Sequence, residues 1–263
     1  MNAGIFNVVN IIDTIPEHIS LFVNHQVLDD KDYSVEYDNI KVKKNNAFVL
    51  VDEKKGLSRS RNTLINAAYK AEHSYLLISD DDVLFNTEQL KELSIYLGRF
   101  GNMSTSYWLR SITKDGVLRK VYPKNGKVIA RSSLFKVASI ELCLNLRFVK
   151  QNRLYFDTNF GLGTNCRAGE EPIFISDCLK RGMIFMHLGL YPAIHPIEGT
   201  GSLVNNDLGL MTDRALIFSR MFGSFWGLLV FFVFFLKKKI KRETSLSYIA
   251  VFTGAVKKVY EKL

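Results

Sequence analysis

Tyr75-Leu76-Leu77-Ile78-Ser79-Asp80-Asp81-Asp82-Val83-Leu84-Phe85 is an apolar run that stops abruptly at three carboxylates. The run is short and bounded, the pattern of a strand buried on both faces of a parallel sheet. In an open α/β sheet the ligand crevice lies outside the carboxyl ends of the strands, which is where these acids fall. If the backbone stays extended, Asp80 and Asp82 leave the same face and reach one hard cation. Three adjacent acids repel each other, and Mg²⁺ or Mn²⁺ is a natural counter-charge. The competing reading is a solvated turn whose acids cap the next helix.

Strands and helices alternate around this stretch. Ile19–Asn24 and Ala47–Asp52 read as strands, and Gly4–Ile12 as either a helix or a strand. Gly56-Leu57-Ser58-Arg59-Ser60-Arg61-Asn62 precedes a helical run over Thr63–Glu72, with Ser58 or Ser60 as its N-cap. Thr87–Arg99 is an amphipathic helix. This alternation implies a parallel sheet. Further on, Val117–Arg131 reads as a hairpin turning at Lys124-Asn125-Gly126. Leu154–Asp157 leads into a glycine-bearing loop, Gly161–Gly169. Glu170-Glu171-Pro172 opens a helix reaching about Arg181, with acids and proline at its start. Met183–Leu188 is a strand, and His195-Pro196 closes the section. Tyr107 and Trp108 suit either the core or a sugar-stacking platform.

The chain has 263 residues, 47% of them hydrophobic, and a net charge of +9. It has room for one large α/β domain with an appendage. The basic balance suits an acidic partner such as nucleic acid, anionic lipid or a phosphate-bearing substrate. No nucleic-acid-binding signature accompanies it, so nucleic acid is not expected. Cys143, Cys166 and Cys178 are odd in number and form no C-x-x-C pair, which implies reduced thiols in the cytosol. Met1–Ser20 has no clean apolar core, so no signal peptide is expected. Met221–Leu236 carries no charge and is followed by Lys237, Lys238, Lys239, Lys241 and Arg242. The run is shorter than the ~20 residues of a perpendicular membrane-spanning helix. Its aromatic density and basic flank suit a shallow element on an anionic leaflet, the alternative being a buried core helix. Thr244–Lys262 reads as an amphipathic helix with Lys257, Lys258 and Lys262 on its polar side.

In this order the pieces resemble the family 2 glycosyltransferases of the GT-A fold, of the bacterial surface-polysaccharide type. Gly56–Asn62 looks like that family's Arg-Asn segment and Ser79-Asp80-Asp81-Asp82 like its metal-binding D-x-D. Phe156–Phe174 looks like its acceptor loop and acidic base motif, and His195-Pro196 like its closing segment. The similarity covers roughly Ile19–Pro196. It implies a GT-A (nucleotide-diphospho-sugar transferase) fold with a mostly parallel central sheet flanked by helices. A catalytic domain over 1–210 would be followed by membrane-associated helices over 211–263. The implied activity is inverting, metal-dependent sugar transfer from a nucleotide-diphospho-sugar to a glycan or polyprenyl-diphosphate-linked acceptor. It would take place at the cytoplasmic face of the cell membrane.

The resemblance also implies residue roles. Glu171 is the base, with Glu170 orienting it or the acceptor. Arg61, Arg59, Asn62 and Asp81 bind the donor, and Gly163 and Thr164 the acceptor. Asp80, Asp82 and His195 hold Mg²⁺ or Mn²⁺. Taken alone, the acid pair reads first as complementing a helix dipole, and His195 as structural. One departure stands out: Ile19–Asn24 matches the family's second strand, with only Met1–Glu17 before it. The nucleotide pocket is then incomplete, rebuilt from Ile5–Ile12, or lost through a truncated start.

Overall fold

The computed structural model describes residues 4–196, 207–241 and 244–261. Lys262 and Arg242, expected on polar faces, lie outside the described residues, as do 1–3. The first unit runs α1 (Gly4–Ile11), β1 (Leu21–Gln26), α2 (Ser34–Lys43), β2 (Ala47–Asp52) and α3 (Leu57–Lys70). Gly4–Ile12, open to two readings in the sequence, is thus a helix finished by a 3-10 turn. β1 and β2 pair in parallel, Leu21 opposite Ala47 through Gln26 opposite Asp52.

The helix after β2 starts earlier than expected, so the Arg-Asn segment is helical from Leu57 onward. Its N-cap is Gly56, at φ 143°, without a side-chain cap. Neither serine caps it. Ser58 Oγ donates to the Phe160 carbonyl at 2.6 Å, and Ser60 Oγ accepts from Asn24 Nδ2 at 3.0 Å.

Next come β3 (Tyr75–Leu77), β4 (Leu84–Phe85), α4 (Thr87–Phe100), β5 (Thr105–Trp108) and β6 (Ser111–Ile112). After a long irregular stretch follow β7 (Leu142–Asn145), α5 (Leu146–Gln151), α6 (Glu170–Lys180), β8 (Ile184–His187) and β9 (Ala193–Ile194). The strand order is β3-β7-β5-β8 in one sheet and β4-β9-β6 in another. Here the expectation of a mostly parallel sheet is corrected. β7 enters antiparallel between β3 and β5, and β9 lies antiparallel to β4, whereas β5–β8 and β6–β9 are parallel.

The expected hairpin over Val117–Arg131 does not form. Its turn exists, with Gly126 at φ 78° and Lys127 N–H donating to the Lys124 carbonyl at 3.2 Å. Its two arms pair elsewhere, Leu118 with Ile112 and Val128 with Met186. Strands already in place outcompete an isolated two-stranded ribbon. Tyr107 and Trp108 are buried core residues, with Trp108 Nε1 donating to the buried Glu141 at 2.9 Å.

Backbone direction alternates along a ladder, so Leu21, Val23 and His25 face β2 while Phe22 and Asn24 face away. On β3, Leu76 and Ile78 face β7 while Tyr75 and Leu77 face away. Between these two edges lies a cavity of about 640 Å³ lined by Leu21, Phe22, Leu64, Leu76 and Leu90. Among the described residues no strand occupies it.

The C-terminal section is α7 (Leu208–Phe222), α8 (Ser224–Ile240) and α9 (Tyr248–Tyr260). The apolar run expected as one segment from Met221 is broken at Gly223, whose φ of 84° ends α7. The boundary expected at 210/211 falls inside α7. That helix sends Ile217 and Met221 into the main core and packs Met211, Ala215 and Phe218 against α8 and α9. Among the described residues, no helix is long and apolar enough to cross a membrane.

Candidate active site

β3 ends at Leu77, and the chain turns within the acidic triplet, Val83 N–H donating to the Asp80 carbonyl at 3.4 Å. The extended backbone that would put Asp80 and Asp82 on one face is therefore absent. Asp80 Oδ1 lies 3.4 Å from Arg61 Nη2, and Asp82 Oδ2 lies 3.3 Å from His195 Nε2. Asp81 packs against Gly4 at the start of α1, where any Cβ would collide with its carboxylate.

Arg61 projects from α3, is 4% exposed, and gathers the site. Its Nη1 lies 3.2 Å from Glu171 Oε1 and 3.4 Å from Glu170 Oε1. Phe156 lies under the guanidinium, 5.4 Å from ring centroid to Cζ. Burial opposes the charge on Arg61, but Glu171, Asp80 and Glu170 outweigh it and hold the proton more tightly than usual.

The two glutamates open α6. Gly169, at φ 97°, admits Ile217 of α7 so closely that a Cβ would collide with it. Glu170 is 5% exposed and its Oε2 has no hydrogen-bond partner among the described residues. Burial, then the charge of Glu171, push its carboxyl up to about 7 against the pull of Arg61. Asp80 is also pushed upward, first by burial, with Arg61 opposing and Glu171 and Asp82 adding. The Glu171 side chain is more open, 19% exposed against 7% for Glu170.

The remaining expected residues divide. Asn62 Nδ2 donates to the Phe156 carbonyl, and its Oδ1 accepts from Phe156 N–H, both at 2.8 Å. Its amide therefore fastens the loop that supports Arg61. Arg59 lies 3.4 Å from Asp52. With Gly163 and Thr164 it lines a separate crevice of about 770 Å³. The Thr164 hydroxyl sits 2.9 Å from the Gly161 carbonyl and 2.8 Å from that of Cys166. The structure thus unites Arg61, Asp80, Glu170 and Glu171 at one point and Asp82 with His195 at another. Phe156 and Arg220 were not singled out in the sequence. Arg220 reaches from α7 to Asp157 at 2.8 Å and Asp177 at 2.9 Å, and no local pattern announces such long-range pairs.

The Asp82–His195 contact bears on the metal. β4 pairs with β9, Leu84 opposite Ile194, which sets His195 beside Asp82. His195 Nδ1 lies 2.8 Å from the Pro196 carbonyl, which can only accept. His195 Nε2 faces the Asp82 carboxylate oxygen. Among the described residues no three such side chains converge. Asp82 and His195 would hold a divalent ion here as two protein donors, a carboxylate oxygen and an imidazole nitrogen that suit Mg²⁺ or Mn²⁺. The donor set fits on those terms, with Asp80 turned toward Arg61.

No known family pattern matches the chain, and no curated protein matches it either. Solved structures do. The crystal structure of S. aureus TarS superposes with a TM-score of 0.60 at 14% identity, covering 93% of this chain and 42% of that one. TarS 1–349 in complex with UDP superposes at 0.59 and 13% identity, over 90% and 68% of the two chains. The chain therefore shares the fold of TarS and spans about two-fifths of that chain's length.

Proposed function

We propose that the protein is an inverting glycosyltransferase that moves a sugar from a nucleotide-diphospho-sugar to a hydroxyl of a glycan or polyprenyl-diphosphate-linked acceptor. It works in surface polysaccharide synthesis at the cytoplasmic face of the membrane. One observation carries the reading: within a fold shared with a UDP-binding protein, Arg61 draws Asp80 and the acid pair of α6 together. UDP is accordingly the first nucleotide to test.

Glu171, the more open acid, accepts the acceptor's proton as that oxygen attacks the anomeric carbon. Glu170, largely enclosed, orients it. Arg61 fixes both acids and keeps Glu171 from drifting while the acceptor is absent. Asp82 and His195 would hold Mg²⁺ or Mn²⁺, which would neutralise charge developing on the departing diphosphate. Direct displacement by one oxygen inverts the anomeric centre.

A second reading is an inactive relative that binds a membrane or partner enzyme, and the cavity between β1 and β3 favours it. That cavity reaches Arg61 and Ser79, so among the described residues the site is open on that side. A screen of nucleotide sugars with and without Mn²⁺ separates the readings. With a donor found, Glu171→Gln lowers turnover by on the order of 10²-fold or more, while donor binding stays near wild type. Undiminished turnover in Glu171→Gln removes the base assignment, and no binding of any nucleotide sugar favours the inactive relative.

A further inference from the structure

α8 buries one stripe and exposes the other, and both are apolar. Gly227, Phe231 and Phe235 face α7 and α9. Opposite them lie Phe225 (72% exposed), Trp226 (61%), Leu229, Val233, Leu236 and Ile240 (82%). A helix on a water-facing surface carries polar residues on that side. α9 continues the apolar face with Tyr248, Ile249 and Phe252, all more than half exposed, and Phe252 stacks on Phe232 of α8 at 4.8 Å.

The charge around this face is mostly positive. Between Ser224 and Glu261 the sequence has two acids, Glu243 and Glu261, against Lys237, Lys238, Lys239, Lys241, Arg242, Lys257 and Lys258, with Lys257 paired to Glu261 and Lys258 to Asp213. Four of these lysines cluster where α8 ends. Lys239 lies over the Tyr248 ring at 5.2 Å and Lys238 over Phe234 at 5.8 Å, arrangements in which the aliphatic stems lie on the aromatic surface.

We propose that the outer face of α8 and α9 docks in the plane of an anionic phospholipid surface. The aromatic stripe enters the boundary between headgroups and acyl chains, and the lysines meet the lipid phosphates. α8 has 17 residues, about 25 Å at 1.5 Å per residue, and lies along the surface. Charge complementarity selects this occupant: a second copy would bring the same cations against each other. α7 lies between the docking pair and the acid pair, touching Gly169 through Ile217, so the surface is one helix layer from the candidate base. The docking surface gives the proposed membrane location a contact face and stands without the transferase chemistry.

The test uses the full chain with extruded vesicles, either phosphatidylcholine alone or equal parts phosphatidylcholine and phosphatidylglycerol. The chain is expected to sediment with the mixed vesicles and much less with the neutral ones. Trp emission shifts to the blue on binding, and Trp226→Phe removes the shift because Trp108 is already buried. Replacing Lys237, Lys238, Lys239 and Lys241 by Gln weakens binding to mixed vesicles by roughly fivefold per lysine. Leu229→Gln with Val233→Gln weakens binding to both vesicle types. The proposal is overturned if the chain stays in the supernatant, or if it binds both compositions equally. It is also overturned if Leu229→Gln with Val233→Gln dissociates a dimer while leaving vesicle binding unchanged. Nucleotide-sugar binding by the same variants reports on the transferase reading separately.

Discussion

Arg61 sets how many negative charges the site can hold before substrate arrives. Three carboxylates share one guanidinium, whose forked geometry reaches Glu170 and Glu171 with one nitrogen and Asp80 with the other. A lysine ammonium is a single point charge and cannot bridge that span. Arg61→Lys is therefore expected to destabilise the fold by about 1–3 kcal/mol and to reduce turnover, read by urea denaturation beside an activity assay. Unchanged stability would mean that the three ion pairs are individually dispensable. Glu170 gives a second handle. Its carboxyl is pushed up to about 7 from an ordinary 4.5, so the native state holds a proton that the unfolded chain has released. The stability from this group is fully present below 4.5 and is lost as pH rises to about 7, a loss of about 1–3 kcal/mol. Glu170→Gln should flatten that slope without removing it, because Asp80 is displaced in the same direction. A wild-type urea midpoint that rises across this window would contradict the assignment.

The edges of β1 and β3 make a prediction at the level of elements. Phe22, Tyr75 and Leu77 direct their backbone groups into the cavity, whereas Val23, Leu76 and Ile78 are bonded in ladders. Hydrogen exchange should alternate along both strands, fast at the first set and slow at the second. Uniform protection would mean that something fills the gap. Elements defined by local pattern were legible in the sequence. β2, α4, α6 and β8 follow from their alternation, amphipathicity and capping, within a residue or two of the expected ends. Features set by distant partners were not. The antiparallel entry of β7 depends on a largely irregular stretch of about thirty residues between β6 and β7, whose hairpin-like pattern points to local pairing instead. The Val117–Arg131 arms were claimed by Ile112 and Met186. At the site, the residue types in the acid triplet and the acid pair were plain. The fastening of Asn62 to Phe156 depends on a contact 94 positions apart, and the turn after Asp80 on a single local bond, Val83 N–H to the Asp80 carbonyl, that no glycine or proline announces.

At the scale of the molecule, the C-terminal helices are part of the fold as well as a surface. α7 belongs to both halves: Ile217 and Met221 complete the main core, and Arg220 ties Asp157 to Asp177. Its other face, Met211, Ala215 and Phe218, is covered by Phe231, Phe235, Val251, Ala255 and Val259. Lys258 adds an ion pair to the buried Asp213. Cutting the chain after Gly223 would bare that face, and each large side chain exposed is worth about 1.5–3 kcal/mol. The truncated chain is therefore expected to lose stability and self-associate, rather than to yield a well-behaved catalytic domain. Polar replacements on the opposite face of the same helix, Leu229→Gln with Val233→Gln, meet solvent in the folded state and should leave the urea midpoint within about 0.5 kcal/mol of wild type. Denaturation of the two proteins side by side, with light scattering for the truncation, decides the matter. A truncated chain as stable and monomeric as the full one would show that α8 and α9 serve only as a surface. A large loss from the polar pair would show that their outer face is covered by the chain itself.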